Sequence, residues 1–136
     1  MYLLDTDILI TIFKRVASPT LVRKLAWVSP DQQSTSSITV GELVYGAHRA
    51  AGRTHLVLEQ LEERLLRVLP VLAFDLAAAR QYGQLRAELE REGMRLDDGD
   101  LRIAAIALSR GLTIVTGNVC RFERVPGLLV ENWLEE

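Results

Sequence analysis

Short apolar runs that end in polar residues alternate along this chain with longer stretches whose apolar positions recur every three or four residues. Tyr2-Leu3-Leu4 is the first such run. It has the pattern of a strand buried on both faces, and it stops at Asp5-Thr6-Asp7. A helical spacing follows over 8–14. Ser18 as cap, with Pro19 at the first helical position, opens a second helix through Trp27. Residues 33–38 are polar and β-branched and are read as a strand, followed by a helix over 39–50 that ends near Gly52. Leu58, Leu61, Leu65 and Val68 form one face of the next helix. Residues 69–74 read as a strand, with Pro70 marking its start or an edge position. Asp75 caps a long helix with the stripe Ala78, Tyr82, Leu85 and Leu89, and Gly93 is its C-cap. An apolar helix over 100–110 stops at Gly111, and strands at 112–116 and 128–130 complete the pattern.

This alternation predicts an α/β fold in one domain spanning 1–136. A mostly parallel central sheet of about five strands would carry helices on both faces. In such a sheet a helix following a strand begins at the strand's carboxyl end, the edge where ligands and reacting groups gather. Asp5, Glu42, Asp75, Asp100 and Asn118 are therefore expected at one rim. A cluster of carboxylates there suits a hard cation such as Mg²⁺ or Mn²⁺, which takes oxygen ligands and relieves the repulsion between the acids. Such an ion can activate water and stabilise charge developing on a phosphodiester.

Each acid also has an ordinary structural reading. Thr39-Val40-Gly41-Glu42 has the spacing of a capping box, in which Glu42 would return to the backbone of Thr39. Asp97 and Asp100 share that spacing, and helix dipoles favour acids in a first turn. Asp75 reads as an N-cap, and Asp7, Asp97 and Asp98 as supporting or solvated residues. Asp5 has no such routine task.

Composition narrows the function classes. A chain of 136 residues is ordinary in its 49% hydrophobic and 25% charged content, and is large enough to bury roughly two-thirds of its unfolded surface. No apolar run approaches the ~20 residues of a membrane span, and the N-terminus has no signal-peptide pattern. With a single cysteine, Cys120, a cytoplasmic protein is expected. The net charge of −2 lacks the basic footprint of many nucleic-acid binders, but 14 of the 16 basic residues are arginine, which pairs well with phosphate. Two lone histidines, His48 and His55, supply no zinc site with one cysteine, and no Gly-x-Ser-x-Gly elbow occurs.

Four stretches carry a resemblance that spans the chain. They are Tyr2-Leu3-Leu4-Asp5-Thr6-Asp7-Ile8-Leu9; Ile38-Thr39-Val40-Gly41-Glu42-Leu43-Val44-Tyr45-Gly46-Ala47; Asp100-Leu101-Arg102-Ile103-Ala104-Ala105-Ile106-Ala107-Leu108; and Gly111-Leu112-Thr113-Ile114-Val115-Thr116-Gly117-Asn118, continuing through Phe122-Glu123-Arg124-Val125-Pro126-Gly127-Leu128 to Glu131-Asn132-Trp133. In these the sequence resembles the PIN-domain family, and closely the VapC-type toxins of bacterial toxin–antitoxin pairs. The resemblance implies a PIN-like fold and a Mg²⁺- or Mn²⁺-dependent endoribonuclease acting on RNA, held inactive by a VapB-like antitoxin and usually a homodimer. The family's first three acids fall on Asp5, Glu42 and Asp100, and its fourth acidic position falls on Asn118. Some relatives carry an acid three residues later, where this chain has Arg121.

On that basis Asp5 and Asp100 would hold one ion, with Glu42 a further ligand or the residue orienting the attacking water. Asn118 and Thr116 would position water or phosphate, and a second ion would arrive with the RNA. Arg86 is a candidate for phosphate contact or a plain surface residue. The apolar helix at 100–110 suggests more burial than one sheet face supplies, which a second copy could provide. Two other readings compete. One is a catalytically weak PIN domain that chiefly binds partners. The other is a haloacid-dehalogenase-type phosphatase with Asp5 as nucleophile, which requires a late lysine, whereas the only lysines are Lys14 and Lys24.

Overall fold

The sheet is built from five short strands, every pairing of which is parallel. The computed structural model describes residues 1–14 and 18–135. In chain order the elements are β1 (Tyr2–Leu4), α1 (Thr6–Phe13), α2 (Pro19–Trp27), β2 (Gln33–Ser36), α3 (Ser37–Arg49), α4 (Thr54–Leu61), β3 (Val71–Leu72), α5 (Leu76–Arg91), α6 (Asp98–Arg110), β4 (Thr113–Thr116) and β5 (Leu129–Asn132). The strand order is β3-β2-β1-β4-β5. The chain therefore leaves β1 first to one side and returns on the other. The crevice at the carboxyl ends of β1 and β4 is thus a topological switch point, the usual ligand position in open α/β sheets.

Two apolar layers flank the sheet. On one side Leu4, Ile8, Leu9, Leu21, Val115 and Trp133 pack together, and on the other Leu3, Ile114 and Phe122 meet the inner faces of α5 and α6. α6 is buried along nearly its whole length, from Asp100 and Leu101 through Ile103–Ala107, because α5 lies over it with Ala78, Leu85 and Leu89. The two-sided burial expected from a second copy is thus supplied within the chain. That expectation treated the sheet as the only surface available to α6.

Several element ends differ from the sequence expectation for identifiable reasons. β2 is polar yet buried. It is tolerated because Ser34 Oγ donates to the Tyr2 carbonyl at 2.8 Å and Thr35 Oγ1 to the Leu4 carbonyl at 2.9 Å. It ends at Ser36, whose hydroxyl accepts from the Thr39 amide at 3.0 Å, so α3 starts three residues earlier than its Thr39 signal indicated. Residues 69–74 contribute only the two-residue edge strand β3, preceded by Pro70. Ser18 and Asp75 cap α2 and α5 as expected, accepting from Leu21 and Ala78. No helix among the described residues is long and apolar enough to cross a membrane.

The sandwiching of α6 makes a direct prediction. Ile106, with no exposed surface, should cost about 2–5 kcal/mol of unfolding free energy when truncated to alanine, whereas Val68→Ala at a 67% exposed position should change it little. Urea unfolding of the two variants measures both.

Candidate active site

Asp5 is the last residue before α1 and has no solvent-exposed surface. Its amide donates to the Val115 carbonyl at 2.9 Å, which fixes it between β1 and β4. One carboxylate oxygen, Oδ1, accepts from the Thr6 amide at 2.8 Å and so caps α1. The expectation that Asp5 has no routine structural task is therefore corrected. The other oxygen, Oδ2, accepts from Thr116 Oγ1 at 3.0 Å and from Arg121 Nη1 at 2.9 Å. Thr116, also fully buried, in turn accepts from the Asn118 amide at 3.1 Å. Its hydroxyl is committed inside the protein and holds Asp5, not a phosphate.

Asp100 reaches the same place from the first turn of α6. Asp97 is the cap of that helix, accepting from the Gly99 amide at 3.1 Å. Asp100 is free of the capping duty its spacing suggested, and both its oxygens accept from Arg121, Oδ2 from Nε at 3.1 Å and Oδ1 from Nη2. One guanidinium thus bridges two carboxylates that lie 95 positions apart in sequence. It comes from the short turn Val119–Arg121, and Phe122 behind it is buried in the core. Sequence reasoning missed this role, because Arg121 registered only as a position lacking an acid. The available signal was that a buried Asp5–Asp100 pair requires a nearby positive charge.

Glu42 lies beside this pair, exposed on α3. Its Oε2 accepts from Thr6 Oγ1 at 2.5 Å, and the Thr6 hydroxyl is 3.4 Å from that of Thr39. Its Oε1 faces Gly99, only 3.3 Å from where a Cβ would stand. Glu42 therefore does not close a capping box with Thr39. It sits between the residue after Asp5 and the residue before Asp100. Among the described residues, no group of three His, Cys, Asp or Glu side chains is gathered closely enough to hold a metal ion. Asn118 is exposed just beyond β4.

Asp7 occupies the back of the site. Its Oδ2 accepts from the Gly117 amide at 2.7 Å and lies 3.3 Å from Thr116 Oγ1, so it braces the end of β4. The candidates Arg86, Asp75 and Asp98 are engaged elsewhere: Arg86 with Glu90 and Tyr82, Asp75 with the α5 terminus and Arg110, and Asp98 with Tyr82 and Arg102.

Burial dominates the electrostatics of Asp5. Desolvation lifts its carboxyl above the usual aspartate range although Arg121, the Thr6 amide and the Thr116 hydroxyl all favour the charged form, and Asp7 adds a like charge. Arg121 is held above the ordinary guanidinium range, chiefly by its hydrogen bonds to Asp100 and against the cost of its own burial. The arrangement can hold a positive charge between two buried carboxylates, with an exposed third acid alongside.

Comparison with known proteins places this geometry among relatives. A PIN domain family model matches residues 2–128. The chain is 41% identical over 134 residues to the tRNA(fMet)-specific endonuclease VapC of Shigella flexneri, with 97% of each chain covered. It is 36% identical over 135 residues to ribonuclease VapC2 of Haemophilus influenzae, with 98% of each covered. The DNA-bound VapBC crystal structure from Salmonella typhimurium superposes with a TM-score of 0.85 at 39% identity, covering 97% of both chains.

Two outcomes test the packing and electrostatics. A Cβ on Gly117 would stand 2.4 Å from Leu134 Cδ1 and 2.8 Å from Asp7 Oδ2, so Gly117→Ala should destabilise by about 1–3 kcal/mol. Adding Leu134→Ala should return only part of this, since the Asp7 clash persists; thermal unfolding reads both. The raised Asp5 pKa means the folded state holds that proton more tightly than the unfolded chain, so its contribution to stability is largest at low pH and falls as pH rises above the ordinary value of 3.8. Asp5→Asn removes this dependence. The stability of the variant relative to wild type should therefore rise between pH 4 and pH 7, and a difference that shrinks would contradict the burial argument.

Proposed function

Because the chain belongs to the PIN-domain family, we propose that it is an endoribonuclease that hydrolyses RNA phosphodiester bonds as the toxin of a VapBC-type toxin–antitoxin pair, restrained by a VapB-type antitoxin. The observation that carries this reading is the meeting of Asp5 and Asp100 around one positive charge at the switch point, in a chain similar over nearly its full length to VapC ribonucleases.

The chemistry is metal-assisted hydrolysis. The donor set fits Mg²⁺ or Mn²⁺, since hard cations bind through one or two carboxylates and complete their shells with water and substrate phosphate. The Arg121 guanidinium lying between Asp5 and Asp100 supports this reading, since the two acids already share one positive charge. Asp5 and Asp100 would hold the ion, with Glu42 beside them. When bound, the ion lowers the pKa of water and stabilises negative charge on the phosphodiester. The chain's own residues do the rest. Thr6 and Thr116 hold Asp5, and Asp7 holds the end of β4 so that Thr116 faces Asp5. Glu42, exposed and fixed by the Thr6 hydroxyl, orients the attacking water and takes its proton. Asn118, at the exposed rim, positions the phosphate or a water.

Purified protein free of antitoxin, incubated with structured RNA and Mg²⁺ or Mn²⁺, should cleave it, and EDTA should stop the reaction. Asp5→Asn and Asp100→Asn should each lower the rate by about 100-fold or more, the equivalent of a few kcal/mol of transition-state stabilisation. Metal-dependent cleavage that survives both substitutions would overturn the site assignment. Intact antitoxin binding with no cleavage of any RNA would favour a partner-binding module instead.

A further inference from the structure

Arg121 occupies the atoms that an ion would need. Asp5 Oδ2 already accepts from Thr116 and Arg121, which fills its two lone-pair directions, and Oδ1 is engaged by the Thr6 amide. Both oxygens of Asp100 are taken by the same guanidinium. The guanidinium lies between the two carboxylates and bonds to both, so an ion held between them takes its place.

The local structure permits that exchange. The turn carrying Arg121 is pinned by its backbone, with the Arg121 amide donating to the Asn118 carbonyl at 3.2 Å and the Phe122 amide to the Val119 carbonyl at 3.0 Å. Phe122 has no exposed surface and anchors the turn. The Arg121 side chain, by contrast, is 27% exposed, and beyond the two acids it lies over the Phe122 ring, 5.0 Å from its guanidinium carbon. A long unbranched stem entering from solvent can swing outward without any backbone change.

We propose that Arg121 is the resting counter-ion of the Asp5–Asp100 pair and competes directly with the divalent ion for it. This rests on the metal-dependent reading above. In the metal-free protein the guanidinium offsets the repulsion between two carboxylates in a dry site. Ion entry expels it, so the chain trades metal affinity for metal-free stability. The expelled guanidinium stays at the rim, where planar bidentate pairing suits a phosphate.

The test is Mn²⁺ binding to antitoxin-free protein without RNA, followed by the electron paramagnetic resonance signal of free Mn²⁺. Arg121→Gln should bind Mn²⁺ about tenfold or more tightly than wild type, because a close charge competitor is gone. Arg121→Lys keeps a charge but cannot bridge both acids, so it should fall between the two. Without metal, Arg121→Gln should melt below wild type, and saturating Mn²⁺ should raise its melting temperature by more than it raises that of wild type. Adding Asp100→Asn to Arg121→Gln should abolish the gain in affinity. Equal or weaker binding by a cooperatively folded Arg121→Gln would overturn the competition while leaving a metal-dependent enzyme intact. Absence of Mn²⁺ binding by all variants, with cleavage persisting in EDTA, would overturn both. Should Arg121→Gln fail to fold, Arg121→Lys decides by the same criterion.

Discussion

A carboxylate without water must be kept charged by its surroundings, and Asp5 imposes that requirement on everything around it. It stands at the end of the central strand with no exposed surface. Its charge depends on a helix-terminal amide, a buried hydroxyl and a guanidinium, each brought by a different part of the chain. The Thr6 amide comes from the start of α1, Thr116 from the end of β4, and Arg121 from the turn that follows. Desolvation still prevails over these contacts in setting the proton affinity of Asp5. The same guanidinium holds Asp100, so the two acids and the arginine stand or fall together.

The fold serves this cluster in ways that look unrelated at first. The parallel order with β1 between β2 and β4 opens the crevice in which Asp5 sits. Sinking α6 between the sheet and α5 places the first turn of that helix, and hence Asp100, at the same depth. Gly117 lets the chain pass close to Asp7 and Leu134, so Asp7 can brace the strand end from behind. The overall charge of −2 is compatible with an RNA substrate because Arg121 and any bound ion offset the acids at the rim where the phosphates would arrive.

Elements whose signals are local are legible in the sequence. Ser18-Pro19 and Asp75 cap their helices as their residue types dictate, and Pro70 does precede an edge strand. The shared rim of Asp5, Glu42 and Asp100 followed from topology, since helix starts and strand ends must meet there. What could not be read was how side chains divide their hydrogen bonds. Thr39 looked like a cap because its spacing to Glu42 is right, but the hydroxyl of Ser36 reaches the Thr39 amide first. Arg121 is 116 positions from Asp5, and only the path of the turn before Phe122 decides that its side chain points inward. The apolar run in α6 suggested a second copy because α5, the neighbour that covers it, is itself amphipathic and gives no sign of where it docks.

The contrast between the dry pair and the wet acid bears on how the reaction would be divided. Asp5 and Asp100 cannot exchange partners with water readily, because one is fully buried and the other nearly so. Such groups suit holding a cation, where desolvation strengthens attraction. Glu42 is exposed and linked by the Thr6 hydroxyl to the residue next to Asp5, while its other oxygen faces the residue before Asp100. A carboxylate that is exposed yet held beside both partners would suit handling an attacking water, because the water can reach it. The three acids are equivalent in a motif but not in their surroundings. Their burial, more than their identity, would assign one pair to a cation and the third to the water.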